Sequence, residues 1–135
     1  LMHGVKHCLE GLKKRAIPMS ICTNKDEKVA HMVVSALGLD SYFNAIVGSR
    51  PDLVKKPDPS MLQIAAEAIN SPMETTMMIG DSEVDAATGI AANSVSVIVR
   101  GGYCHKPYED LNVTHLLDSI EELLDIIDNQ YLISD

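Results

Sequence analysis

Short apolar runs alternate with stretches of helical character along the whole sequence. The runs at residues 17–22, 45–47, 75–79, 95–99 and 114–117 have the length and residue types of buried strands. Helices are predicted around them at residues 5–12, 24–37, 59–70, 82–92 and 120–127. Strands that alternate with helices at this spacing form a parallel sheet. We therefore predict an α/β fold with helices on both faces of a parallel sheet.

Capping residues predict several of the helix boundaries. Asn24 and Glu27, three residues apart, indicate the start of the second helix, and Gly38 indicates its end. Asp58 is expected to cap the third helix, with Pro59 at its first helical position.

Length and charge exclude several classes of function. With 135 residues the chain is long enough for one domain and too short for two, so residues 1–135 are predicted to form a single domain. A net charge of −8 argues against a nucleic-acid binder or a polybasic membrane anchor and favours a bound cation or a basic partner surface. No apolar run is long enough to span a bilayer, and the cysteines lack metal-ligand spacing. We expect a cytoplasmic protein with reduced thiols.

Polar residues follow the predicted strands at the positions where parallel sheets bind ligands. In open parallel sheets, ligands bind beyond the carboxyl ends of the strands. Thr23 and Asn24 follow the first predicted strand, Lys56 lies in the loop before the third helix, and Asp81 and Asp85 follow the third predicted strand.

The acidic pair has two interpretations. Asp81 and Asp85, four positions apart at a helix start, bring their carboxylates to one side of the first turn, roughly 5–6 Å apart at Cβ. Such a pair suits Mg²⁺, which one or two carboxylates and a substrate phosphate usually hold. Equally, Ser82 and Asp85 fit a helix-capping arrangement in which Asp85 complements the helix dipole.

The other polar residues are equally ambiguous when each is taken alone. Thr23 and Asn24 offer donors that suit a phosphoryl group at a helix N-terminus, but helix capping explains Asn24 just as well. Lys56 supplies the positive charge that phosphoryl transfer requires, although most loop lysines are simply solvated.

The joint order of these residues resembles motifs two, three and four of the haloacid dehalogenase superfamily. The matching strings are Thr23-Asn24, Lys56-Pro57-x-Pro59 and Gly80-Asp81-Ser82-x-x-Asp85. They are most similar to the phosphoglycolate phosphatase-like branch, whose members carry a helical cap. The resemblance runs from about Gly4 to the C-terminal helix. It implies a Rossmann-like haloacid dehalogenase core.

The resemblance also implies a role for each matching residue. Thr23 would hydrogen-bond a phosphoryl oxygen with Asn24 beside it, and Lys56 would neutralise charge on the nucleophile and the phosphate. Asp81 would ligate Mg²⁺ directly, and Asp85 would hold the waters of the ion or orient its neighbours. The implied reaction is hydrolysis of a small phosphomonoester, such as phosphoglycolate or a sugar phosphate, through an aspartyl-phosphate. Dehalogenation needs no Mg²⁺, so the acidic pair favours the phosphatase branch.

The sequence departs from the family in one respect. The two catalytic aspartates of the family form an Asp-x-Asp motif at the end of its first strand, and these 135 residues contain no Asp-x-Asp. That strand would lie between the strand ending at Thr23 and the strand ending at Gly80, and its absence would leave two sheet edges unpaired. Together with Leu1, this predicts a fragment or truncated form without the first strand and cap, inactive by itself. The alternative is a non-catalytic α/β binding or regulatory module that retains the fold.

Overall fold

The computed structural model describes residues 4–102 and 104–132, so Leu1 lies outside the described residues. The strands are β1 Ser20–Asp26, β2 Ala45–Ser49, β3 Met77–Gly80, β4 Val95–Val99 and β5 His115–Leu117. The helices are α1 Val5–Lys14, α2 Glu27–Ala36, α3 Ser60–Glu67, α4 Glu83–Ala91 and α5 Leu123–Ile126. None of the helices within the described ranges is long and apolar enough to cross a membrane.

The strands form two parallel sheets. One sheet pairs β1 with β2, and the other has the order β3-β4-β5. All three pairings are parallel, which confirms the predicted α/β class. Among the described residues β1 and β3 each have one neighbour, so each presents an open edge, as the sequence predicted for the two strands flanking the absent one.

Helices cover both faces of these sheets. Because side chains alternate along a strand, Val97 and Val99 of β4 pack with α1 and α5 on one face, while Ile98 packs with Ala86 of α4 on the other. On the β1-β2 sheet, α1 and α2 share the first face, and α3 packs against Val47 on the second.

An apolar slot separates the open edges of β1 and β3. Residues 20–22 of β1 and residues 77–79 of β3 line it, with side chains of α1 and α5 on one face and of α3 on the other. The cavity has a volume of about 650 Å³. We call this cavity the inter-sheet slot. It explains why Ile79 is 37% exposed although its strand lies inside the molecule.

Several predicted boundaries are wrong around β1. The strand begins at Ser20 rather than residue 17, because the Ile17 N–H donates to the Leu12 carbonyl and the Met19 N–H donates to the Asn44 side chain. Because of these hydrogen bonds, residues 17–19 belong to the turn that follows α1 and not to the strand. The strand also continues past residue 22 to Asp26, with an irregular register beyond Cys22.

Asn24 is not the cap of α2. The carboxylate of Asp26 accepts the N–H groups of Lys28 (3.0 Å) and Val29 (3.2 Å), so Asp26 caps the helix. The predicted end is confirmed, because Gly38 has a positive φ of 70° just beyond the last helical turn. These first-turn donors of α2 are therefore occupied by a carboxylate.

The boundaries of the other helices differ more modestly. α3 begins at Ser60, so Pro59 precedes the helix, although the Asp58 carboxylate does accept the Ser60 N–H (2.9 Å). α3 ends at Glu67 rather than near residue 70, and the chain leaves it through Asn70, whose φ is 55°. The predicted helix at 120–127 is a 3-10 turn, the short α5 and a wider π turn.

Candidate functional site

The lysine of the loop before α3 links β1 of one sheet to α4, the helix that follows β3 of the other sheet. The Lys56 Nζ donates to the backbone oxygen of Cys22 in β1 (3.1 Å) and to Oδ1 of Asp85 in α4 (2.7 Å). The side chains of Lys56 and Asp85 are 10% and 11% exposed. This ion pair is therefore largely shielded from solvent, and it brings together residues that lie far apart in the sequence.

The backbone of the same lysine is held by Asn24. The Lys56 N–H donates to Asn24 Oδ1 (2.8 Å), and Asn24 Nδ2 donates to the Lys56 carbonyl (3.1 Å). Both functional groups of the amide are thus used on one residue. Asn24 therefore contacts Lys56 directly, and its side chain is directed to the lysine loop.

Asp85 organises the start of α4. Its Oδ2 accepts the Asp81 N–H (3.1 Å) and the Ser82 hydroxyl (3.1 Å), and the same hydroxyl oxygen accepts the Asp85 N–H (3.4 Å). The capping interpretation of Ser82 is therefore confirmed. A Cβ on Gly80 would lie 2.3 Å from Asp85 Cγ, so a glycine is required here for the close approach of that carboxylate.

The Asp81 carboxylate has no hydrogen-bond or ion-pair partner among the residues that the structure describes. Its backbone is fixed on both sides, because its N–H donates to Asp85 and its carbonyl accepts from the Tyr108 hydroxyl (3.3 Å). The single hydroxyl hydrogen of Tyr108 is shared with the Gly102 carbonyl, which is closer (3.0 Å). A Cβ on Gly102 would meet Asp81 Cγ at 2.4 Å. The result is a rigidly placed, half-buried carboxylate that is available to a ligand.

The residues present suit Mg²⁺ better than a metal ion that is coordinated entirely by protein side chains. No three His, Cys, Asp or Glu side chains in the described parts of the chain are grouped to hold a metal ion. Mg²⁺ keeps several waters and needs only one or two carboxylates plus substrate oxygens. Asp81 offers such a carboxylate, whereas both oxygens of Asp85 already accept hydrogen bonds.

The Thr23 hydroxyl has no acceptor among the residues that the structure describes. Its Oγ1 accepts the Lys25 N–H (3.1 Å), which leaves the hydroxyl hydrogen to donate to a ligand oxygen. The helix N-terminus beside it is less suitable for an anion, because the Asp26 carboxylate occupies the first donors of α2. Thr23 and the Lys56 ammonium are therefore the candidate phosphate contacts of this edge.

Sequence reasoning missed Cys22. Its carbonyl receives the Lys56 ammonium, and a backbone acceptor has no sequence signature. Burial raises the pKa of the Cys22 thiol, and the nearby Lys56 charge opposes that shift less strongly. The thiol is therefore protonated near neutral pH and is a poor nucleophile. Tyr108 was also missed, because its role depends on a fold contact 27 residues away.

A second pair lies at the rim of the site. His105 contributes its backbone N–H and its ring Nδ1 to Oε1 of Glu83, the first residue of α4. These hydrogen bonds lower the pKa of the Glu83 carboxyl. The pair ties the loop after β4 to α4.

This fold and candidate site define a class of α/β protein in which polar side chains come together at the carboxyl edge of parallel strands, the edge where ligands bind in open sheets. The sequence model described as "Hydrolase: haloacid dehalogenase-like hydrolase" matches residues 1–93. The chain therefore belongs to the haloacid dehalogenase-like hydrolases, in the phosphoglycolate phosphatase-like branch that its motifs resemble.

Similar proteins agree with this assignment. A phosphoglycolate phosphatase of Cereibacter sphaeroides is 34% identical over 124 residues, covering 92% of this chain and 56% of the relative. A phosphoglycolate phosphatase of Rhodospirillum rubrum is 31% identical over 122 residues, covering 90% and 51%. The chain thus spans about half the length of these relatives.

Solved structures share the fold. The crystal structure of a predicted phosphoglycolate phosphatase from Haemophilus somnus has a TM-score of 0.87 at 24% identity, covering 93% of this chain and 56% of that one. A mutant of CbbY from Rhodobacter sphaeroides, in complex with xylulose-1,5-bisphosphate, has a TM-score of 0.78 at 21% identity, covering 90% and 55%. At these identities the likeness concerns the fold.

Proposed function

We propose that this chain is the core of a Mg²⁺-dependent phosphatase that hydrolyses a small phosphomonoester, such as phosphoglycolate or a sugar phosphate. The observation that carries the proposal is the Lys56 ammonium, held between the Cys22 carbonyl and Asp85 at the carboxyl edge. It brings the three sequence motifs together. The names of the phosphoglycolate phosphatase relatives support the same chemistry.

In this proposal Thr23 and Lys56 contact the phosphate, and Asn24 lies beside them. The Thr23 hydroxyl donates to a phosphoryl oxygen, and the Lys56 ammonium stabilises the negative charge that develops as the phosphoryl group transfers. Asn24, within β1, holds the backbone of Lys56. Lys56 and Thr23 are the catalytic residues of this chain, since they touch the reacting group.

Asp81 and Asp85 form the proposed Mg²⁺ site. Asp81, whose carboxylate has no partner among the described residues, ligates the ion directly. Asp85 holds the Asp81 backbone and the Lys56 ammonium, and so orients the neighbours of the ion. When bound, Mg²⁺ would supply positive charge to the phosphate oxygens.

The proposed nucleophile is an aspartate outside these 135 residues. We propose that it lies on a strand in the inter-sheet slot, where two open parallel edges and an apolar lining suit an extended segment. The carboxyl end of such a strand would lie close to Lys56. The carboxylate of the aspartate forms a bond to phosphorus as the bond from phosphorus to the alcohol oxygen breaks, and the second aspartate of the Asp-x-Asp motif protonates that oxygen. The second aspartate then takes a proton from the water that hydrolyses the aspartyl-phosphate. Residues 1–135 would form one partial core domain of a cytoplasmic enzyme.

The test is turnover of an aryl phosphate with and without Mg²⁺. The assay compares the 135-residue chain, a longer polypeptide that includes an upstream Asp-x-Asp strand, and the Lys56→Met variant of the longer form. We expect Mg²⁺-dependent turnover by the longer form alone, with a large loss in Lys56→Met. Robust turnover by the 135-residue chain would contradict the missing nucleophile, and an inactive longer form would contradict the phosphatase proposal.

One observation favours the alternative of a non-catalytic binding or regulatory module. The 135 residues lack an Asp-x-Asp motif, so they hold no nucleophile of the family type. The alternative predicts that the reading frame upstream of Leu1 encodes no Asp-x-Asp. It also predicts that the chain binds Mg²⁺ or inorganic phosphate, and that neither the 135-residue chain nor a longer polypeptide hydrolyses the aryl phosphate.

A further inference from the structure

We propose that the side chain of Asn24 is a positioning residue that fixes the Lys56 ammonium, and that it does not itself contact the phosphate. This inference rests on the proposed function and deepens it. Its basis is the pair of hydrogen bonds between the Asn24 amide and the backbone of Lys56, at 2.8 Å and 3.1 Å.

The two bonds satisfy both backbone polar groups of Lys56. The surrounding loop lacks regular secondary structure between β2 and α3, and its internal backbone bonds join Leu53 to Arg50 and Asp58 to Lys55. Neither bond involves Lys56. An amide at position 24 is suited to this task because it presents a donor and an acceptor side by side, which no carboxylate or hydroxyl does in the same way.

Residues of β1 thus bind both the backbone and the side-chain ammonium of Lys56. Asn24 holds its backbone, and the Cys22 carbonyl, two residues earlier on the same strand, accepts from its ammonium. A lysine side chain has several rotatable bonds, and fixing both ends removes most of its freedom. The position of the charge relative to β1 is therefore set before any ligand binds.

Asp85 provides a third contact that holds Lys56, from the side of α4. Its carboxylate accepts hydrogen bonds from the same ammonium (2.7 Å) and from the Asp81 N–H (3.1 Å). One side chain therefore holds the Lys56 ammonium and the backbone of Asp81 in fixed relative positions. Without Asn24 the lysine loop would lose its anchor to β1, and Lys56 could follow Asp85 away from Cys22. The spacing between the ammonium and the Thr23 hydroxyl would then vary.

The experiment compares Asn24→Ala and Asn24→Asp with a matched control, Asn44→Ala. Asn44 is also an asparagine whose Oδ1 accepts a backbone N–H, that of Met19 at 3.2 Å, before the start of β1. The first readout is the ¹H–¹⁵N signal of the Lys56 ammonium, assigned by its absence in Lys56→Met. The second is the dissociation constant for inorganic phosphate in the presence of Mg²⁺.

We expect a resolved Lys56 ammonium signal in the native chain and in Asn44→Ala, because that group is largely buried and hydrogen-bonded. In Asn24→Ala the signal should broaden or disappear, and phosphate should bind about tenfold more weakly, from the loss of two hydrogen bonds that position a charge. Asn24→Asp retains the acceptor for the Lys56 N–H and should give an intermediate ammonium signal.

An unchanged ammonium signal and phosphate affinity in Asn24→Ala, relative to Asn44→Ala, would overturn the inference. If Asn24→Ala does not fold, the Asn24→Asp signal decides in its place: a native-like signal refutes the role, and an intermediate one supports it. If neither the 135-residue chain nor the longer polypeptide that includes the Asp-x-Asp strand binds phosphate, the proposed function fails, while the ammonium signal still decides the role of Asn24.

Discussion

Replacing Asp85 by alanine is expected to destabilise the fold strongly, because it leaves the Lys56 ammonium buried without its counter-charge. The two side chains are 11% and 10% exposed, and their charged atoms are 2.7 Å apart. Removing one partner of a buried ion pair costs about 3–5 kcal/mol. Domains of this size have a free energy of unfolding of about 5–15 kcal/mol. The variant should therefore lose a large fraction of its stability.

A double-mutant cycle separates the ion pair from the other bonds of Asp85. Urea unfolding is measured for the native chain, Asp85→Ala, Lys56→Met and the double variant. We expect a coupling free energy of about 1–3 kcal/mol, with the double variant more stable than Asp85→Ala. Asp85→Asn keeps an acceptor for the Asp81 N–H and isolates the effect of charge.

An exposed ion pair of the same chain provides the matched control. Arg15 makes two hydrogen bonds to the carboxylate of Asp128, at 2.7 Å and 2.6 Å, but both side chains are solvent-accessible. Asp128→Ala should cost much less than Asp85→Ala, because water replaces the lost partner. Equal losses for the two variants, or a double variant no more stable than Asp85→Ala, would refute the reasoning from burial.

Three further changes test the site. Gly80→Ala places a Cβ 2.3 Å from Asp85 Cγ, and it should lower the free energy of unfolding by about 1–3 kcal/mol; thermal unfolding measures this, and an unchanged midpoint contradicts the close approach. Asp81→Asn should weaken Mg²⁺ binding about tenfold or more, because a neutral amide replaces the direct carboxylate; calorimetric titration measures the loss, and native affinity would exclude Asp81 as a ligand. Glu83 has a lowered pKa because of its hydrogen bonds from His105, so their stabilisation is fully present above the ordinary glutamate pKa of 4.5 and is lost as pH falls through the lowered value. His105→Ala should therefore reduce the acid dependence of urea unfolding in that range, and an unchanged slope counts against the pair.

The parts of the fold that sequence predicted best are those where both faces of an element are buried. The β4 prediction matches Val95–Val99, where a β-branched run is buried on both sides. The β1 prediction starts three residues too early, since Ile17 and Met19 are apolar yet their N–H groups bond to α1 and Asn44. Apolar periodicity reports burial, whereas a strand boundary depends on where each backbone group finds its partner.

In the candidate site too, the sequence reveals side-chain chemistry but not the partners of backbone groups. Thr23, Lys56, Asp81 and Asp85 could be selected from sequence because their side-chain chemistry and order are informative. The two hydrogen bonds between Asn24 and Lys56 could not, because they use backbone groups that nearly every residue possesses. Capping was the obvious interpretation of Asn24 in sequence, and the structure assigns the cap to Asp26 instead.

The inter-sheet slot connects the fold to the site. No residue of β1 is buried, although the strand lies between helices on both faces, while four of the five residues of β4 are buried. β1 therefore lacks a neighbour that β4 has. At the carboxyl edge, Lys56 bridges the slot by bonding to β1 on one side and to α4 on the other. A strand that ran parallel to β1 and β3 in the slot would bring its carboxyl end to the side of this ammonium, and it would then complete both the sheet and the site.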